Sequence, residues 1–326
     1  MSTLPEKGLQ LRSLIKPEGE LELSLVEVDL PTPGPGDVII KVEATPINPS
    51  DLGLLIGAGD IRTAVQSGTA DRPVITAKVP EAGLRAMKAR IGQSLGVGNE
   101  GAGTVVAAGE SEAAQALLGK RVTGLGGEFY SEYRMLNVGQ VMELPEGATA
   151  EQGASCYVNP LTALSFVETM REMGHESLVH TAAASNLGQM LNRICLEDGM
   201  GLVNIVRKEE QAKLLKDQGA THVVNSSDDD FLEQLKAAID ETDAFYGFDP
   251  IGGGKTVDSV FKAMEQVAVG KMTEYSRYGS NQQKRMFIYG RLDMEPTTLT
   301  PSYGFGWTLS GWLLTPFLQN AGMERV

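Results

Sequence analysis

Cysteine and histidine are scarce in this chain: two cysteines and three histidines in 326 residues. Cys156 and Cys195 cannot build a disulfide framework or a multi-cysteine zinc site. His175, His180 and His222 offer no metal set. Positive charge is also short, with Lys and Arg at 28 against Asp and Glu at 42, a formal charge of −14. An acidic body repels phosphate backbones and anionic lipid, which argues against nucleic acid or a membrane surface as partner. It leaves room for an anionic small molecule, which needs only a local group of cations. No apolar run approaches the 18 residues a membrane helix needs, and the N-terminus lacks a basic-then-apolar leader pattern. A cytoplasmic location is the expectation.

What is present suits a globular protein of two domains: 42% hydrophobic and 21% charged residues. Residues 1–153 read as β-rich. Leu21 to Val28 alternates with period two, and Asp37 to Ala44 follows a Pro/Gly turn cluster at Pro31 to Gly36. Gly101 to Val106 and Arg121 to Leu125 add short strands. The stretch 61–97 interrupts this pattern and is expected to be a helical insertion, with Pro80 in the first turn of a helix running to Gln93. From residue 154 to 326 the rhythm changes. Strands at Leu178–Thr181, Gly201–Val206, Thr221–Val224 and Asp243–Phe248 alternate with helices at Leu187–Leu196, Lys208–Gln218 and Phe231–Ile239. Short apolar runs between amphipathic helices imply a parallel sheet covered on both faces, a doubly wound α/β fold.

Between the first strand and helix of that half lies Thr181-Ala182-Ala183-Ala184-Ser185-Asn186-Leu187-Gly188. A dinucleotide site wants small residues here, so that backbone can approach a pyrophosphate at the helix N-terminus. Ala182, Ser185 and Gly188 stand at spacing three in place of three glycines, a weak signal alone that the βαβ context strengthens. The end of the second strand says more. NAD sites place Asp or Glu there to hold the ribose 2′-hydroxyl, whereas this chain has Arg207 and Lys208, nineteen and twenty residues after Gly188. Two cations suit a 2′-phosphate, hence NADP(H). The competing reading is a solvated helix start, though cations sit poorly at the positive end of a helix dipole.

Together with Ile47-Asn48-Pro49-Ser50-Asp51, Gly98-Asn99-Glu100-Gly101, Asn159-Pro160-Leu161-Thr162-Ala163, Asn204 to Arg207, Gly219 to Asn225 and Asp249 to Gly253, these residues resemble the zinc-independent medium-chain dehydrogenase/reductase superfamily. The nearest branches are quinone oxidoreductases and mitochondrial-type 2-enoyl thioester reductases, and the likeness runs from Leu21 to Leu314. The resemblance implies a GroES-like catalytic domain at 1–153, with the 61–97 insertion, and a Rossmann NADP-binding domain at 154–326. It implies hydride delivery from NADPH to a quinone, enone or enoyl substrate, and a homodimer. The alternative is a non-catalytic NADPH-binding protein, structural or regulatory. Zinc-using relatives carry Gly-His-Glu where Asn99 stands here, and neither cysteine falls at a ligand position, so no metal is expected.

By the same resemblance Asn48, Asp51 and Thr162 line the catalytic site. The 182–188 loop, Arg207, Lys208 and the Tyr289-Gly290 backbone border the cofactor, and Trp312 lines the substrate pocket. Local alternatives stand beside each: a turn for Asn48 to Asp51, a helix cap for Thr162, plain core for Trp312. Two departures matter. The enoyl reductase branch has a proton-donating tyrosine shortly after the Asn-Pro-Ser-Asp motif, and Gly59 occupies that place. The family also returns its chain to the catalytic domain, and that C-terminal segment is expected to be missing.

Overall fold

The computed structural model describes residues 4–322. The chain forms two compact units, Met1–Val158 and Asn159–Val326; the division falls five residues beyond the expected 153/154 boundary.

The first unit contains β1 (Lys7–Lys16), β2 (Glu20–Asp29), β3 (Asp37–Ala44), α1 (Pro49–Leu55), β4 (Asp60–Gly68), β5 (Pro73–Lys78), α2 (Glu81–Ala86), β6 (Ser94–Gly96), β7 (Glu100–Ala108), α3 (Glu112–Ala116), β8 (Arg121–Leu125), β9 (Tyr133–Asn137), β10 (Val141–Glu143) and α4 (Ala150–Gly153). They make two five-stranded sheets, ordered β4-β5-β2-β1-β6 and β10-β8-β7-β3-β9. β1 and β2 pair antiparallel from Lys7↔Asp29 to Lys16↔Glu20, and Gly19 at φ +88° supplies the turn that most side chains resist. Val38, Ile40, Val105, Val122, Phe129 and Leu136 form the core of the second sheet. Ile15, Leu21 and Val79 form a smaller one, onto which Leu84 and Met87 pack.

The 61–97 segment corrects the expectation of a helical insertion. Its first half is a hairpin, β4 against β5, closed by a Thr69–Arg72 turn with reciprocal backbone bonds of 3.1 and 3.2 Å. Alternating Ile61, Thr63 and Val65, with β-branched Val74, Ile75 and Thr76 opposite, favour a pleated strand over a helix. The helix following Pro80 stops at Ala86, because it buries none of its residues and has little packing to extend it. A single 3₁₀ turn, Lys88–Arg90, follows.

The second unit is built on α5 (Val158–Glu172), whose first residue closes the first unit. It continues with β11 (Ser177–His180), α6 (Asn186–Asp198), β12 (Gly201–Val206), α7 (Glu209–Asp217), β13 (His222–Asn225), α8 (Phe231–Thr242), β14 (Tyr246–Asp249), α9 (Thr256–Gly270), β15 (Lys284–Ile288), β16 (Trp307–Gly311) and α10 (Leu314–Ala321). The six strands are parallel and ordered β13-β12-β11-β14-β15-β16. In chain order this is 3-2-1-4-5-6, the doubly wound arrangement, with its switch point between β11 and β14. Strands β11 and β14 are buried along their whole length, as central strands covered on both faces are. β14 starts three residues later than expected, because Asp243 ends α8 in the left-handed region at φ +56°. Among the described residues no helix is long and apolar enough to cross a membrane.

The 13-residue link between α9 and β15 is anchored by a buried ion pair. Lys284, fully buried, places Nζ 2.8 Å from Glu265 Oε2, 3.0 Å from Ser280 Oγ and 2.6 Å from the Gln282 carbonyl. Ser280 N donates to Glu265 Oε1 at 2.8 Å. Removing one partner of such a pair leaves an uncompensated buried charge, at a cost of about 3–5 kcal/mol. Lys284→Met is therefore expected to lower the urea midpoint sharply, and Lys284→Met with Glu265→Leu to recover much of the loss. An unchanged midpoint in the single variant would show that water reaches Glu265.

Candidate active site

In the first unit, α1 organises the Asn-Pro-Ser-Asp motif. Asn48 is extended (φ −81°, ψ 150°) and Pro49 takes the first helical position, where its missing N–H and fixed φ do no harm. Asp51, three residues on, turns back to accept from Asn48 N at 2.8 Å. Its other oxygen accepts from Asn99 N at 2.8 Å, and Asn99 Nδ2 reaches Ser50 Oγ at 2.8 Å. Asn48 and Asp51 are 4% and 1% exposed, whereas Ile47, Pro49 and Ser50 of the same motif are exposed. Two expected residues are thus brought together.

A third partner, a second carboxylate, went unassigned in the sequence. Glu100, fully buried at the start of β7, accepts from Asn48 Nδ2 at 2.9 Å and from the amides of Tyr157 and Val158 at 2.9 and 3.0 Å. Burial pushes its carboxyl upward, the three N–H donors oppose that, and nearby Asp51 adds to the rise. Its position beside Asn99 in the Gly-Asn-Glu-Gly motif was the available signal. Tyr130 packs over Gly98, where a Cβ would stand 2.6 Å from its ring, and its hydroxyl donates to the Pro46 carbonyl at 3.0 Å. Burial and then Asp51 hold that hydroxyl well above the ordinary tyrosine range. Gly59 faces the apolar cluster: a Cβ there would lie 2.7 Å from Leu21 Cδ2.

In the second unit, the loop after β11 has the shape a dinucleotide site requires. Ala182 adopts φ +50°, a conformation glycine ordinarily supplies. Ser185 caps α6, its Oγ accepting from Gly188 N at 3.1 Å. A Cβ on Gly188 would sit 2.2 Å from the Ala183 carbonyl oxygen, so only glycine lets α6 start this close to the strand. Ser185 and Asn186 are exposed, Ala184 half-buried, and Leu187 buried beneath them. At the switch point the Thr181 hydroxyl donates to Asp249 Oδ1, and Gly252 N donates to Asp249 Oδ2 at 2.8 Å. This fully buried carboxylate is raised by burial and ties the two strand ends together. It too was missed, although it opens the Asp-Pro-Ile-Gly-Gly motif.

Arg207 and Lys208 are exposed at the end of β12. Lys208 pairs with Glu210 at 3.4 Å, whereas the Arg207 guanidinium makes no ion pair or hydrogen bond with the described residues. The loop is fixed through backbone: Ser227 Oγ donates to the Arg207 carbonyl at 2.8 Å, and Arg207 N to Gln211 Oε1 at 3.1 Å. The helix begins at Glu209, with two acids in its first turn and Lys208 at its N-cap, so Lys208 stands at the positive end of the dipole and Arg207 just before it.

Thr162 lies inside α5 and is buried, rather than capping that helix. Tyr289 binds by more than its backbone. Its N donates to the Asp249 carbonyl at 3.0 Å, and its hydroxyl lies 2.8 Å from His180 Nε2. Gly290 closes on Pro250, whose carbonyl a Cβ would meet at 2.8 Å. Trp312 packs edge-on against Phe166 at 4.8 Å, donates from Nε1 to Thr169 Oγ1 at 3.3 Å and is partly buried. Among the described residues no three His, Cys, Asp or Glu side chains come together as a metal set.

A doubly wound parallel sheet with a tight small-residue loop at its switch point, joined in one chain to a β-rich unit, defines a two-domain dehydrogenase fold. The family described as zinc-binding dehydrogenase matches residues 186–295. A quinone oxidoreductase of Pseudomonas aeruginosa is 29% identical over 164 residues, 49% of this chain and 50% of its own length. A Mesorhizobium loti structure provisionally assigned as an NADPH:quinone reductase superposes with a TM-score of 0.68 at 26% identity, over 98% of this chain and 85% of that one. A mutant enoyl thioester reductase from Candida tropicalis shares the fold, with a TM-score of 0.66 at 21% identity over 98% and 85%. The chain spans about half the length of the first curated relatives it matches. These likenesses support the medium-chain dehydrogenase/reductase superfamily, in the branch of quinone oxidoreductases and enoyl reductases.

His180 gives the site a defined acid response. Burial drives its imidazole down to about 3 from an ordinary 6.5, so it stays neutral when folded. Unfolded chains take up a proton on this residue as pH drops below about 6.5, and folded ones resist until about 3. Its contribution to stability is complete above pH 6.5 and is lost as pH falls toward 3. Urea midpoints between pH 7.5 and 4.5 should fall less steeply for His180→Phe than for the unmodified protein. Parallel curves would mean that His180 is solvated.

Proposed function

We propose that this protein is an NADPH-dependent oxidoreductase that reduces a quinone or an activated alkene without zinc. The second unit is read as the NADP-binding domain and the first as the catalytic one. The observation that carries this is the loop from Thr181 to Gly188, whose φ at Ala182 and close approach at Gly188 suit a pyrophosphate, with the Arg207 guanidinium exposed at the next strand end and making no ion pair with the described residues. The quinone oxidoreductase and enoyl thioester reductase relatives support the reaction class. Residues 182–188 would hold the pyrophosphate, and Arg207 with Lys208 the 2′-phosphate. Bound NADPH would supply the hydride. Asn48 and Thr162 would orient the reacting groups, and Asp51 keeps Asn48 in place. Water would furnish the proton, because Gly59 is packed against Leu21 and carries no acid. That packing also favours a second reading, a non-catalytic NADPH-binding protein. Consumption of NADPH with a panel of quinones, small enones and enoyl thioesters separates the two.

Quinones and small enones should turn over best, since reduced quinone oxygens take protons from water, while a positioned acid contributes roughly 10²–10⁴-fold to alkene reduction. Fast reduction of long enoyl thioesters with quinones inert would reverse this assignment. A binder would show affinity without consumption.

Cofactor choice is a separate test. Charge-assisted contacts to phosphate contribute roughly 1.5–3 kcal/mol each, so NADPH should bind at least about tenfold more tightly than NADH, and Arg207→Ala should narrow the gap. Equal affinities in the unmodified protein would remove Arg207 from the site.

The zinc reading rests on the donor set, with Asn99 where a ligating histidine would stand. Metal analysis should find far less than one zinc per chain, and chelators should leave turnover intact. Stoichiometric zinc with chelator-sensitive activity would overturn it.

A further inference from the structure

The first unit holds two buried carboxylates around one asparagine, and the proposed reaction uses neither directly. We propose that Glu100 is a positioning residue that sets which way round the Asn48 amide sits, and so which atom Asn48 offers to a ligand. The inference rests on the proposed reduction, in which Asn48 faces the reacting groups.

Every partner of the Glu100 carboxylate donates: Asn48 Nδ2 at 2.9 Å on Oε1, and the Tyr157 and Val158 amides at 2.9 and 3.0 Å on Oε2. A proton on this carboxyl would find no acceptor among them. An ionised carboxylate only accepts, so Asn48 must turn its NH₂ toward Glu100 and keep its carbonyl oxygen as the atom it offers elsewhere. Asp51 holds the main chain of the same residue through Asn48 N at 2.8 Å, and the side-chain amide is held through its Nδ2 bond to Glu100.

A purely structural tie would not demand this chemistry. The carbonyl of a glutamine could serve the Tyr157 and Val158 amides equally well. Its NH₂, however, would face the NH₂ of Asn48, and one of the two amides would have to turn over. The Asn48 bond alone makes a carboxylate necessary at position 100.

Glu100→Gln, Asn48→Asp and their combination test this in the full-length protein. Glu100→Gln should lower kcat with a quinone or small enone on the order of 10- to 100-fold, the scale of a misplaced reacting group, while NADPH affinity stays within about twofold. Asn48→Asp opposes two carboxylates and should be at least as impaired. The combination restores a donor–acceptor pair of reversed polarity, with an aspartate oxygen still free to accept, and should recover to within about tenfold of the unmodified protein. Unchanged turnover in Glu100→Gln, or no recovery in the combination, would overturn the proposal. A readout independent of catalysis is the Asn48 side-chain amide in ¹H–¹⁵N spectra. Resonances held downfield in the unmodified protein and displaced in Glu100→Gln support the proposal, and unmoved resonances overturn it. Absence of turnover in the unmodified protein, with the amide displaced, would instead sink the oxidoreductase reading and leave the positioning intact.

Discussion

Five N–H groups end on the carboxylates of Asp51 and Glu100, both sealed from water. A buried carboxylate without donors is too costly to keep ionised, so each must be met, and meeting them dictates the surrounding backbone. Asp51 ties the start of α1 to the turn at Asn99. Glu100 ties the start of β7 to Tyr157 and Val158, where the chain leaves the first unit. Asn48 sits where the two sets of bonds cross. The polar joint thereby holds the residues the proposed chemistry needs.

The second unit meets the same demand at its own critical point. Asp249 closes β14 at the switch point of the sheet and is satisfied by the Thr181 hydroxyl and the Gly252 amide. The loop leaving Thr181 then passes through a left-handed alanine before α6 begins. Strain of that kind persists where surrounding structure over-determines it, and here buried Thr181 and Ala183 clamp both sides of Ala182. Ser185 and Asn186 are left exposed at the α6 N-terminus, while Leu187 and Gly188 are packed beneath.

The alternation of strand and helix after residue 154 was readable because each element carries its own periodicity. Gly201–Val206 and Arg121–Leu125 were placed to the residue, since glycines, charges and turn residues punctuate them. The cation at position 207 was legible by spacing from Gly188. In the 61–97 stretch the expectation of a helix rests on Pro80 and the residues after it, whereas the β-branched residues before Pro80 build the hairpin of β4 and β5. α5 and α9 were not recognised: buried on several sides, they lack the clean stripe that marks a surface helix.

The sequence by itself determined the class of fold, the place of the dinucleotide loop and the motifs of the joint, because backbone propensity and residue size act over a few neighbours. It did not determine that Glu100 would meet Asn48, that Asp249 would meet Thr181, or that Tyr289 would reach His180. Those partners lie 52, 68 and 109 residues apart. Only the closing of the sheets brings such groups together, and only burial then makes their hydrogen bonds obligatory.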